Sequence, residues 1–140
     1  MTDLAECISR SCTTGWLDWI HGELWLSPTG LLRRRLTLAQ TRANGLGPTV
    51  TAPLPRADLG GATWQRIVAE HRTNKAIAFA EIAQARLVTG ITTDALRLRQ
   101  HSGVEHRLLW LKADPAYEIL SRFLPEVLGE RLATLPPARR

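Results

Sequence analysis

Hydrophobic positions along the chain come in short runs separated by glycine, proline and small polar residues, a pattern that predicts more strand than helix. The first run, residues 3–12, places Leu4, Cys7 and Ile8 on one helical face behind a Thr2 or Asp3 cap, and predicts a short N-terminal helix within residues 1–14. Residues 15–26, "GWLDWIHGELWL", are aromatic and branched and read as a strand, with Gly22 marking a bulge or bend. "SPTG" (27–30) suits a type I turn, and "LLRRRLTLAQT" (31–41) then completes a β-hairpin. "ANGLGPT" (43–49) is a loop, and Pro53 and Pro55 limit residues 49–61 to an edge strand at most. Residues 62–72 have helical spacing, with Trp64, Ile67, Val68 and His71 on one side.

The second half is read in the same way. Residues 75–90 fit a helix by alanine content, or two short strands, "AIAF" and "ARLVTG", around a turn. The strand reading is preferred, because it gives a partner to the hairpin predicted over 91–113 with its turn at His101–Gly103. A three-residue loop there pairs Leu98 with His106 and puts Leu96, Leu98, Leu108 and Trp110 on one face. A two-residue loop pairs His101 with Val104 instead, and "LLWL" accepts both registers. Asp114 and Pro115 read as N-cap and first residue of a closing helix, with Tyr117, Leu120, Leu124 and Leu128 as its apolar stripe and Phe123 and Val127 beside it. Pro125 is expected to kink that helix or begin a second, and residues 133–140 form a tail.

Composition adds bounds to this pattern. The 140 residues, 44% hydrophobic, predict a single domain over 1–132 with a real core. Five tryptophans (Trp16, Trp19, Trp25, Trp64 and Trp110) offer more aromatic area than one small core comfortably hides, so either all are packed or one marks a contact surface. No run approaches the length of a transmembrane helix and the polar, acidic start is unlike a signal peptide, which makes the cytoplasm the expected compartment. Cys7 and Cys12 match no metal or redox spacing, and Cys7 reads as a small apolar contact. The formal charge of +5 is unevenly spread: residues 1–32 carry a balance of −3, leaving +8 for the rest, almost all of it arginine. Arginine-rich, lysine-poor usage of this kind is common in GC-rich coding sequences and is weak evidence for an anionic partner.

The segments "GELWLSPTGLLRR" and "AFAEIAQARLVTGITTDALRLRQHSGVEHRLLWLKADPAYEILSRFL" give a hairpin, then a short strand, a turn and three strands leading into a closing helix. About half the chain in this way resembles the pleckstrin-homology-like (PH-like) barrel, more closely the PH-like domains of bacterial proteins. The resemblance implies an α+β fold, a strongly bent antiparallel sheet or small barrel closed by a C-terminal amphipathic helix. It also implies binding of lipid headgroups, peptides or partner proteins rather than catalysis. That family places basic side chains at its first hairpin, where Arg33 and Arg35 stand here.

Candidate chemistry is sparse. The chain has no G-x-S-x-G, H-E-x-x-H, P-loop or G-x-G-x-x-G signature, so no catalytic constellation, cofactor or metal site is predicted. His71 reads as a boundary residue, and His101 and His106 as surface residues of a hairpin. His21, beside Gly22, is the one histidine with a functional setting. The candidate ligand or partner surface is Arg33, Arg34, Arg35 and Arg42 with Trp19, Trp25 and His21. Strand alternation divides the arginine triplet: Arg33 and Arg35 are expected on the solvated face. Arg34, on the face of Leu32, Leu36 and Leu38, must snorkel, sit at a bulge or find an acid such as Asp18 or Glu23. The expectation is a non-enzymatic binding or assembly module working through protein–protein contacts or self-association. The alternative is electrostatic binding of anionic lipid headgroups or nucleic acid by the arginine hairpin.

Overall fold

A computed structural model describes residues 4–14, 20–45, 47–50 and 53–133. The chain opens with strand β1 (Leu4–Cys12), followed by β2 (Gly22–Leu26) and β3 (Gly30–Arg35), then helix α1 (Leu38–Asn44). Next come a three-residue strand β4 (Arg56–Asp58), helix α2 (Gly61–Glu70) and β5 (Lys75–Ala78). A 3-10 turn, Phe79–Glu81, leads into β6 (Ile82–Thr89), β7 (Thr93–Gln100) and β8 (Glu105–Leu111), and the chain closes with α3 (Ala116–Leu128) and a second 3-10 turn, Gly129–Arg131. The fold is α+β, with two antiparallel sheets: a five-stranded one ordered β4-β1-β2-β3-β5 and a three-stranded one ordered β6-β7-β8.

The sheets do not close into a barrel. On one side, Thr13, just past β1, forms an isolated antiparallel bridge with Leu109 of β8, and Ser11 Oγ accepts the Leu111 amide. On the other side, the 3-10 turn passes the chain from β5 to β6, and Arg131 donates to the Phe79 and Ile82 carbonyls at 2.9 Å each while bonding Val127 and Leu128 in α3. The main core lies between the sheets and under α3, and includes Ile8, Leu24, Leu31, Ile77, Leu96, Leu108, Trp110, Leu120 and Leu124. A smaller cluster (Ala5, Leu32, Leu59 and Ile67, with Trp25, Ala57 and Trp64 partly buried beside it) lies where α2 covers the opposite face of the five-stranded sheet. Both faces of that sheet are therefore buried.

This double burial explains most differences from the expected elements. The N-terminal segment is a strand, not a helix. Pairing with both β2 and β4 makes β1 central, and with bulges at Cys7/Ser9 and Ser9/Cys12 it sends Ala5 to one cluster and Ile8 and Cys12 to the other. The resulting spacing of buried residues imitates a helical stripe. The hairpin of β2 and β3 is present, pairing Gly22 with Arg35 through to Leu26 with Leu31, but its second arm ends at Arg35. Thr37 and Gln40 form a reciprocal capping box that starts α1 in place of the strand expected to reach residue 41. Gly22 begins β2 rather than bulging it, and a Cβ there would lie 2.4 Å from Arg33 Nε. Residues 15–19 and 134–140, with part of the expected first strand and the tail, lie outside the described residues.

Other expectations match. The edge strand, the helix over 62–72, the two strands in 75–90 and the hairpin over 91–113 are all present. The hairpin takes the three-residue loop: Leu98 faces His106, Arg99 faces Glu105, and Gly103 adopts φ 95°. The closing helix runs through Pro125 as one element, and Ala116, Leu120, Leu124 and Leu128 are buried along its inner side. Asp114 is not its N-cap. Its carboxylate, 4% exposed, instead accepts from Ser9 Oγ, Ser11 Oγ, the Thr49 amide and Thr49 Oγ1, tying the helix entry to β1 and the 47–50 loop.

Candidate functional site

The residues singled out from sequence do not form one surface. Arg33 is 1% exposed, reversing the solvated position expected of it. It lies on the inner face of β3 beside the Gly22 gap, donating through Nε and Nη2 to Cys12 O, through Nη2 to Ile20 O at 2.6 Å, and through Nη1 to Thr73 O and Oγ1. Arg34 is the outward residue. Its guanidinium forms a two-pronged pair with Glu70 of α2, at 3.0 and 2.9 Å, so its acid comes from α2 rather than from Asp18 or Glu23. Arg35 and Arg42 are exposed but lie on different elements, at the end of β3 and in the last turn of α1.

Trp25 is partly buried against the α2 cluster and donates its indole N–H to Glu23. His21 is half-buried beside α1, with its Nδ1 3.4 Å from Asn44 Nδ2 and its amide on Thr41 Oγ1. Trp19 lies outside the described residues. Trp110 is buried in the main core and Trp64, on α2, is partly buried against the smaller cluster, so the described tryptophans act as packing residues. Cys7 is fully buried, and that burial, with Glu23 nearby, pushes its thiol up to about 11, far from a reactive thiolate.

A different set of arginines meets on the three-stranded sheet. In its register Arg86 faces Arg97 and Arg97 faces Arg107, which lines up three guanidinium-bearing residues on one rung across β6, β7 and β8. Alternation turns them away from the core: Ala85, Leu96, Leu98 and Leu108 on the other face are buried, whereas the three arginines are exposed. Directly opposed side chains in an antiparallel sheet start about 4.5–5.5 Å apart at Cβ, and like charges there are destabilising. Among the described residues, none of the three arginines has a hydrogen-bond or ion-pair partner, whereas Arg34, Arg56 and Arg122 each have an acid.

The neighbouring rungs complete the face. On one side lie Gln84, Arg99 and Glu105, with Arg99 donating to Gln84 at 3.3 Å. On the other lie Val88, Ala95 and Leu109, all partly exposed. An open depression of about 640 Å³ is lined by the arginine rung, by Gln84, Arg99 and Glu105, and by Thr14 and His106 near the β8 edge. Among the described residues of this lining, four arginines accompany one carboxylate. His106 adds no charge near neutral pH, because burial first and Lys75 second lower its pKa, and its Nε2 lies 3.1 Å from Gln100 Oε1.

Sequence reasoning reached this site only implicitly. Once Leu98 faces His106, Arg97 must face Arg107, but the alignment of Arg86 depends on the β6–β7 turn, which carries no strong turn signature. Among the described residues no group of three or more His, Cys, Asp or Glu is arranged to hold a metal ion, and no described helix is long and apolar enough to cross a membrane. No protein-family model matches the chain, and no curated protein matches it.

Proposed function

We propose that this chain is a non-catalytic binding module of PH-like design, whose working surface is the outer face of β6-β7-β8 and whose partners are negatively charged. The observation that carries this reading is the rung of Arg86, Arg97 and Arg107, exposed, directly opposed and without acid partners in the described structure. A sheet gains nothing in stability from three like charges side by side, and an anion seated across them relieves their repulsion. The order of elements supports the PH-like reading: β1, β2, β3 and β5 share one sheet, the meander β6-β7-β8 forms another, and an amphipathic helix follows. The first hairpin is a poor alternative surface, since Arg33 is buried against carbonyls and Arg34 is paired with Glu70.

Salt elution from immobilised heparin tests the location of the surface. The triple variant Arg86→Gln/Arg97→Gln/Arg107→Gln should elute at clearly lower salt than wild type. The charge-matched triple Arg35→Gln/Arg42→Gln/Arg72→Gln, at exposed positions elsewhere, should elute close to wild type. Equal losses in both triples would mean that only net charge matters and would overturn the assignment.

A further inference from the structure

Resting on that reading, we infer that the partner is an acidic amphipathic segment of another protein, docked across β6, β7 and β8 with carboxylates on the arginine rung and apolar side chains on the rung beside it. The second rung decides the class of ligand. Val88, Ala95 and Leu109 lie two residues along the strands from Arg86, Arg97 and Arg107, on the same outer face and on average about 7 Å away. Neither Val88 nor Leu109 belongs to either core cluster or packs against one. Beyond this rung, the β6–β7 turn carries Ile91, 95% exposed, and the end of β8 carries Leu111, partly exposed. The face is thus cationic along one line and apolar along the next.

Spacing matches this occupant. Adjacent strands are about 4.8 Å apart, so the rung presents cations at intervals close to the 5–6 Å between helix residues three or four apart. A helix laid across the strands, with acids at such positions and leucines on the adjoining flank, meets both lines at once. Bidentate arginine–carboxylate geometry suits the first line and burial of apolar area the second. Single-stranded nucleic acid fits less well: the two rungs carry no aromatic side chain for base stacking, and phosphates would leave the apolar rung uncovered.

The test uses the full chain and four fluorescent or vesicular probes. One is an acidic peptide of about 18 residues, long enough to hold a helix, with glutamates and leucines on adjacent flanks. The others are a scrambled peptide of the same composition, an oligothymidylate, and phosphatidylglycerol-containing vesicles. The patterned peptide should bind at least about tenfold more tightly than its scramble. That preference should be lost in both Arg97→Glu and Leu109→Asp, each shown to fold by circular dichroism and melting. Because Leu109 also bridges to Thr13 through its backbone, Val88→Asp serves as a second apolar-rung variant. Equal binding of patterned and scrambled peptides, or preference for oligothymidylate or vesicles with Arg97 still required, overturns the inference and leaves the anionic surface standing. No Arg97-dependent binding to any probe overturns both.

Discussion

The guanidinium of Arg33 has five N–H donors, and among the described residues it makes contacts to Cys12 O (two), Ile20 O, Thr73 O and Thr73 Oγ1. One side chain thereby holds the end of β1, the approach to β2 at Ile20 and the turn after α2. Replacing it with leucine would leave buried carbonyls without donors, each worth about 1–3 kcal/mol. Arg33→Leu should therefore lower stability by roughly 3–5 kcal/mol, and Arg33→Lys should recover only part because an ammonium lacks the planar fork. Arg34→Leu, which removes a half-exposed pair with Glu70, should cost no more than about 1 kcal/mol. Denaturant midpoints of the three variants check this order, and an Arg33→Leu midpoint at or above that of Arg34→Leu would contradict it. In sequence, the alternation that separates Arg34 from Arg33 and Arg35 was legible. Which side was wet was not, because that depends on α2 covering the face of Leu32 and on Gly22 leaving room for a guanidinium.

At the scale of elements, β6-β7-β8 contrasts with the other sheet. The five-stranded sheet has α2 over its second face, whereas the outer face of the three-stranded sheet presents exposed arginines to solvent. Its register follows from a three-residue loop with Gly103 at positive φ, and the buried row Leu96, Leu98, Leu108 and Trp110 was legible as one of two options in the sequence. The cationic row was harder to see, since it joins residues from three strands and the sequence shows only scattered arginines. Arg97 stands in the middle of the row, so Arg97→Glu converts two like-charge neighbours into two cross-strand ion pairs. The variant should be more stable than wild type by about 0.5–1 kcal/mol, with the gain shrinking as salt is added, while heparin retention falls. Melting temperatures at low and high salt check this. A destabilised, well-folded Arg97→Glu would mean that Arg97 supports the sheet in some other way, and the rung would lose its standing as a binding device held at the expense of stability.

For the whole molecule, the question is what joins two sheets that do not close by continuous hydrogen bonding. At the β1–β8 side, among the described residues, the join is the bridge of Thr13 with Leu109, backed by Ser11 Oγ on the Leu111 amide and by the Asp114 carboxylate on both Ser9 and Ser11. At the β5–β6 side it is Arg131, whose guanidinium spans Phe79 and Ile82 on the sheet side and Val127 and Leu128 at the end of α3. Neither lock was legible in sequence: Asp114 imitates a helix cap, and Arg131 falls just before what reads as a tail. Sequence patterning shows which segments bury apolar surface, but a polar lock depends on the tertiary approach of segments that pattern does not bring together. The Arg131 lock predicts a local effect. Just beyond it the chain returns to the β6 edge, where Leu132 bridges Ala85 and the Ala133 amide donates to the Ala85 carbonyl at 2.7 Å. Arg131→Ala removes four donor contacts to partly buried carbonyls, so it should cost about 2–3 kcal/mol, with the loss concentrated at this seam. Amide hydrogen exchange should accelerate at Leu132, Ala133 and the last turn of α3 while the amides of β2 and β3 keep their protection relative to global stability. Uniform acceleration across both sheets would instead mean that the seam opens only when the whole domain unfolds, and that Arg131 and the main core form one cooperative unit.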